Sequence, residues 1–311
     1  MSVLNTVKAK LLRALAKRMK AKFTYDAAQY PLRTVDEIDI PTAWGPARAL
    51  FYWPVTTSTR PLPVYLNLHG GGFVAGVPEH DDSYCRLLAH NLGCLVVNLD
   101  YVLAPEHPFP AGLRQSFRVL EWLAEQAMTL GIDPQRIAVG GHSAGGNLAT
   151  GVANLARGHQ GLRVVHQVID YPVLDLLQDP TLKRSSLDKP LLGSGLVRFF
   201  NSCYLSDPAQ ARDPLVSPLL ATVEALRGMP ATTLITAEYD ILRAEGEAYG
   251  HKLREAGVSV NAKMFPGCDH MFTHLGPDAS AQQAWQIIED ALREAFRSGA
   301  GEENESESAY A

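Results

Sequence analysis

The chain is poor in cysteine and has no C-x-x-C pair: Cys85, Cys94, Cys203 and Cys268 stand far apart. That argues against a disulfide framework or a cysteine-bound zinc, and makes a reducing compartment, the cytoplasm, the expected location. No apolar run approaches the length of a membrane span. Net charge is only -5 over 311 residues, so no global basic excess points to nucleic acid. No internal repeat is visible. What is present is ordinary for a globular protein, 46% hydrophobic and 20% charged, enough for one sizeable core.

A local absence stands out at the start. Met1 to Phe23 has no acidic residue but carries Lys8, Lys10, Arg13, Lys17, Arg18, Lys20 and Lys22. Charge interrupts it too often for the apolar core of a signal peptide. On a helical wheel Leu4, Val7, Leu11 and Leu15 share a face, with Lys10, Arg13, Lys17 and Lys20 opposite. The expectation is that the apolar face packs on the rest of the protein; the competing reading lays this helix on an anionic membrane surface.

Gly140-Gly141-His142-Ser143-Ala144-Gly145-Gly146-Asn147 organises the rest. It contains Gly-x-Ser-x-Gly, the pattern of a nucleophile elbow, which alone could occur by chance in a flexible loop. Context gives it meaning: the apolar run from Arg136 to Gly140 reads as a buried strand, and Asn147 to Leu155 as a helix rich in small residues. A strand that turns straight into a helix strains the residue at the turn. Glycines on either side would leave room for it, with the Ser143 hydroxyl exposed at the end of the sheet.

Elsewhere strands and helices alternate. Strand-like stretches are Val35 to Ile40, Ala47 to Trp53, Pro63 to Leu68, Cys94 to Leu99, Val164 to Ile169, Ala231 to Ala237 and Val258 to Phe265. Helical ones are Asp81 to Leu92, Ala111 to Leu130, Ala244 to Ala256 and Ala279 to Arg297. The pattern predicts an α/β fold with a mostly parallel sheet covered by helices on both faces. Leu174 to Pro218 breaks the rhythm. It is rich in proline, with one helix around Leu196 to Tyr204, and reads as a lid. The acidic stretch 299–311 reads as a disordered tail.

A serine hydroxyl needs a base to take its proton. His270 follows the last strand, where active groups of a parallel sheet gather; His274 is the runner-up. His142 adjoins Ser143 but should point away from it, and His251 falls mid-helix. For the carboxylate that fixes the imidazole tautomer, Asp240 and Asp170 both follow strands. Asp240 gives the chain order Ser, Asp, His, although it could instead cap the next helix. Asp269 abuts His270 but would have to fold back. His69-Gly70-Gly71-Gly72 can supply backbone N–H groups for an oxyanion, and Ala144 at a helix start another.

Taken together, His69 to Phe73, Asp100-Tyr101 with Leu103 to Ala111, Gly141 to Ala149, Ser217-Pro218-Leu219, Glu238-Tyr239-Asp240, and Gly267 with His270 and Phe272 resemble the bacterial hormone-sensitive-lipase-like esterases of the α/β-hydrolase fold. These blocks run in family order from about Val35 to Arg297. The resemblance implies a nucleophile at Ser143, acid at Asp240, base at His270, and oxyanion donors at Gly71, Gly72 and Ala144. It implies one α/β-hydrolase domain over 1–311, with a helical cap from about 1–30 and 174–218. It further implies hydrolysis of short- to medium-chain acyl esters with no cofactor and no metal. His142 replaces the acid most common at its position, and Ile241 the proline often found after the catalytic Asp.

The expected activity is therefore that of a serine carboxylesterase on a small-molecule ester. An amidase or deacetylase with the same triad is the first alternative. A non-catalytic small-molecule binder is the second, and His270 argues against it. A homodimer is the remaining partner expectation; nucleic acid is not expected.

Overall fold

The structure, a computed structural model, describes residues 3–16, 29–57 and 59–298. The reading of 299–311 as a tail lies outside these residues, as does the part of the cap reading that falls on 17–28.

Eight strands form one sheet in the order β1-β2-β4-β3-β5-β6-β7-β8. They are β1 (Leu32–Ile40), β2 (Ala47–Pro54), β3 (Leu62–Leu68), β4 (Leu95–Leu99), β5 (Ile132–His142), β6 (Val164–Asp170), β7 (Ala231–Ala237) and β8 (Val260–Phe265). Only the pairings of β2 with β1 and β4 are antiparallel; the rest are parallel. The helices are α1 (Val3–Ala16), α2 (Asp82–Leu92), α3 (Ala111–Glu125), the short α4 (Ala127–Leu130), α5 (Ala144–Arg157), α6 (Ser194–Tyr204), α7 (Val223–Leu226), α8 (Arg243–Glu255), α9 (Phe272–Leu275) and α10 (Asp278–Ser298).

The central strands are apolar nearly throughout because both faces of the sheet are covered. Their side chains divide with a period of two. Val64, Leu66 and Leu68 of β3, with Leu95, Val97 and Leu99 of β4, join one core with Leu113 and Leu120 of α3 and Leu148 and Val152 of α5. Tyr65, Val96, Ala138 and Val168 point the other way, towards Tyr84 and Leu88 of α2 and Trp285, Ile288 and Leu292 of α10.

The predicted helix from Ala111 to Leu130 is two pieces, broken at Gln126. The elbow strand is longer than expected, starting at Ile132, and the last strand starts at Val260 rather than Val258. Between Val173 and Pro218 the chain leaves the sheet and crosses its carboxyl edge, with α6 as its longest helix.

The largest departure is α1. Leu4, Val7, Leu11 and Leu15 are 54–62% exposed, so the expectation that this face packs inward is wrong. The opposite face docks instead: Ala9 is fully buried, and Leu12 and Ala16 border the main cavity. Arg13, expected to face solvent, anchors the helix. Its Nε donates to the Val74 carbonyl at 2.7 Å, Nη2 to the Ala104 carbonyl at 2.6 Å, and the guanidinium fork grips Glu106 at 2.6 and 3.1 Å. Small and polar contacts thus outcompete the leucine stripe, because the docking surface presents carbonyls and a carboxylate that need a donor.

Candidate active site

Ser143 sits between β5 and α5 with φ 54° and ψ -114°, a backbone conformation that costs energy for any residue with a Cβ. Surroundings hold it there. Its N–H donates to the Asp170 carbonyl at 2.8 Å, and its own carbonyl accepts from Asn147 at 3.2 Å. The flanking glycines are required by close approach as well as by the turn. A Cβ on Gly145 would collide with the Leu68 carbonyl oxygen, and one on Gly141 with that oxygen and with Gly145 itself. Side chains at either place would push the elbow off the end of β3.

His270, between β8 and α9, brings its Nε2 to 3.0 Å from the Ser143 Oγ. Its Nδ1 lies 2.7 Å from Asp240 Oδ2, and a carboxylate only accepts, so Nδ1 carries the proton and Nε2 faces the hydroxyl as a base. The other Asp240 oxygen accepts the Leu242 N–H at 2.9 Å, which fixes the carboxylate plane. All three side chains are buried. Asp269 is elsewhere occupied: Oδ1 accepts the His270 backbone N–H at 2.7 Å and Oδ2 the Leu191 N–H at 2.7 Å. It ties the histidine loop to the crossing segment.

The three remaining candidates, His142, Asp170 and His274, gather in a separate cluster, with Thr273 between the last two. His142 points behind the elbow and donates from Nδ1 to Asp170 Oδ2 at 2.9 Å. His274 lies 2.8 Å from both Asp81 and the Tyr171 hydroxyl. Asp170 also accepts from Thr273 at 2.8 Å, so neither His274 nor Asp170 serves Ser143. Burial alone would lower the His142 imidazole, but the Asp81 and Asp170 carboxylates outweigh it and hold it above its usual range. Burial acts to raise Asp81; His142 and His274 outweigh it and keep that carboxyl far below its usual range.

The glycine loop after β3 is held by its carbonyls. Val74 and Ala75 donate to Gly71 at 3.1 and 2.9 Å, and the Tyr101 hydroxyl donates to the His69 carbonyl at 2.8 Å while its ring stacks on the imidazole. Gly71 and Gly72 have φ 130° and 62°, and a Cβ on Gly72 would strike the Phe200 ring of α6. The Ala144 N–H stands at the N-terminus of α5, where the helix dipole favours negative charge.

These groups open into one cavity of about 270 Å³, walled mainly by apolar side chains such as Leu12, Leu192, Val197, Phe200, Leu242 and Met271. Its wall also concentrates backbone strain. The non-glycine residues at positive φ among the described residues are Phe73, Ser143, Tyr171 and Met271, and all four line it. Strain that clusters at one cavity marks a functional site.

A model of the alpha/beta hydrolase fold matches residues 65–274. The chain belongs to this family, among its hormone-sensitive-lipase-like esterases. It is 40% identical over 232 residues to an ethyl acetate hydrolase of Pseudomonas putida, covering 74% of this chain and 72% of that protein. It is 37% identical over 226 residues to the carboxylesterase NlhH of Mycobacterium tuberculosis, covering 72% of this chain and 70% of that one. The crystal structure of EstE1, a thermostable carboxylesterase cloned from a metagenomic library, superposes with a TM-score of 0.84 at 34% identity, covering 95% of this chain and 99% of EstE1.

Sequence reasoning missed three features of this esterase. The carboxylate Asp81, the anchoring pair Arg13–Glu106 and the Phe200 ring over Gly72 each act through a partner far away in the chain, which no local pattern announces. His80-Asp81 opening a helix was the only available signal for the first.

Proposed function

We propose that this esterase hydrolyses short- to medium-chain acyl esters with Ser143 as nucleophile, His270 as general base and acid, and Asp240 as its orienting carboxylate. The observation that carries the reading is the unbroken line of hydrogen bonds, 3.0 Å from Ser143 Oγ to His270 Nε2 and 2.7 Å from Nδ1 to Asp240, opening on an apolar cavity. Oγ attacks the ester carbonyl as Nε2 takes its proton. The oxyanion is met by the N–H groups of Gly71, Gly72 and Ala144. Collapse breaks the ester bond, and the leaving alcohol takes the proton back from Nε2. Water repeats the sequence on the acyl-enzyme: Nε2 removes its proton, the acid departs and Ser143 is restored.

The cavity size supports the acyl range. At about 270 Å³ it holds several methylenes but not a long chain in full. In this reading α1 and the 174–218 segment together act as its cap. A panel of p-nitrophenyl esters from acetate to palmitate tests it. We expect kcat/KM to peak between C2 and C8 and to fall beyond; no turnover on any member would contradict it, as would a preference for palmitate.

A second reading concerns where the enzyme works. The leucine stripe of α1 faces outwards, Lys8 and Lys10 flank it, and Met1 to Phe23 has no acid. An exposed apolar stripe bordered by lysines suits an anionic membrane surface. Leu182, Leu187, Leu191 and Leu196 of the crossing segment are exposed too.

A further inference from the structure

Behind the elbow, Asp81, His142 and His274 converge, all three buried and all three on the cavity wall. The ester reaction described above uses none of them. We infer that Asp81, His142 and His274 form a binding site for a divalent transition-metal ion of the zinc class, in the floor of the cavity next to Ser143.

The hydrogen-bond inventory leads there. Asp170 can only accept, so His142 must donate to it from Nδ1. That leaves His142 Nε2 facing the cluster, and this atom is buried without a hydrogen-bond partner among the described residues. Such an orphan is uncommon in a folded protein and asks for an explanation. Opposite it stand Asp81 Oδ2 at 3.9 Å and, bound to Asp81 Oδ1 at 2.8 Å, His274 Nε2. One ligand atom from each residue falls within 4.8 Å of the other two. A four-coordinate zinc with bonds of roughly 2.0–2.2 Å sets its ligands roughly 3.4 Å apart. The three ligand atoms lie within 4.8 Å of one another, so side-chain rotations that draw the farthest of them in by up to about 1.4 Å would close the site.

The surrounding shell also fits. Metal-binding histidines donate their second ring N–H to a carboxylate or another fixed acceptor. His142 has Asp170 for this; His274 Nε2 donates to Asp81 in this structure, so an ion would take the place of that proton and leave Nδ1 to donate to the Tyr171 hydroxyl 2.8 Å away, itself 3.0 Å from Thr273 Oγ1, a donor to Asp170. Asp81 is steadied by Asn67, whose Nδ2 donates to Oδ2 at 2.7 Å. Two imidazoles and one carboxylate suit zinc, copper or nickel; calcium and magnesium prefer all-oxygen shells. All three residues line the cavity, from which a water or a ligand carboxylate would complete the shell.

The test needs no ester, so its failure is separate from failure of the esterase reading. The full chain is stripped with EDTA, desalted, given a slight excess of Zn²⁺ and desalted again; bound metal is then measured by mass spectrometry. We expect about one Zn²⁺ per chain in the wild type. His274→Gln and His142→Gln should each retain at least ten-fold less, with circular dichroism reporting that they are folded. Co²⁺ in place of Zn²⁺ should give the visible absorption of a four-coordinate ion in the wild type and not in the variants. Should one variant fail to fold, the other together with the Co²⁺ spectrum carries the test. A wild type that retains no zinc overturns the proposal. So does equal retention in wild type and folded variants, which would place the metal on surface histidines, and so does a Co²⁺ spectrum of six-coordinate, solvent-like form.

Discussion

Ser143 owes its placement to what its neighbours lack. Gly141 and Gly145 omit the side chains that would drive Leu68 and the elbow apart, so the strained serine can stand at the sheet edge. The Gly-x-Ser-x-Gly spacing already carried that information. The choice of carboxylate was less legible, because Asp170 and Asp240 both follow strands; only the fold shows that His142 and Thr273 occupy Asp170. Asp240→Asn should cut kcat on the order of 10⁴-fold by spoiling the tautomer of His270. Asp170→Asn should cost far less in kcat while lowering the melting temperature, since it loosens the cluster behind the elbow. Steady-state kinetics and thermal melts of both variants check this, and a larger kcat loss at Asp170 would reverse the assignment. A different residue should govern acid stability. His166, in the middle of the sheet with Thr233 as its partner, is pushed down to about 4 by burial. A histidine depressed in the fold contributes stability that is present above its unfolded value near 6.5 and is lost as pH falls through 4. The loss should approach about 3 kcal/mol on the scale of 1.36 kcal/mol per unit. His166→Gln should flatten the dependence of urea-unfolding free energy on pH between 6.5 and 4; an unchanged slope would show that another group dominates.

Among the elements, α1 taught the most. Periodicity located the helix and its apolar stripe, but periodicity says nothing about what surface awaits it. The site it docks on offers the carbonyls of Val74 and Ala104 and the carboxylate of Glu106, so Arg13 turns inwards and the leucines outwards. The two faces of the helix differ: Leu12 and Ala16 border the cavity, while Leu4, Val7, Leu11 and Leu15 are exposed, as the proposed membrane contact requires. Replacing these four leucine and valine positions with serine should therefore abolish co-sedimentation with phosphatidylglycerol vesicles. It should leave kcat/KM for p-nitrophenyl acetate within about two-fold, because none of the four touches the cavity. A wild type that never sediments would rule the membrane surface out, and vesicle binding that survives the substitutions would show that the α1 stripe is not what binds.

At the scale of the whole molecule, the sheet gathers the chemistry. Elbow, acid and base follow three parallel strands, β5, β7 and β8, and the glycine loop follows a fourth, β3, so all emerge along one carboxyl edge. Strand alternation made this readable in advance, since a buried parallel strand must be apolar on both faces and a helix must cover it. The segment between Val173 and Pro218 was legible as an interruption with one helix, which the structure shows as α6, but not in its path. Its prolines break regular structure on either side of α6 without saying which side chains, such as Phe200, will roof the cavity. Since every one of these elements converges on the Ser143 hydroxyl, its removal is the most direct measurement. Ser143→Ala should retain the circular dichroism spectrum of the wild type while kcat on p-nitrophenyl butyrate falls on the order of 10⁵-fold or more, as removal of the nucleophile does in other serine hydrolases. Turnover within ten-fold of the wild type in the folded variant would contradict the account.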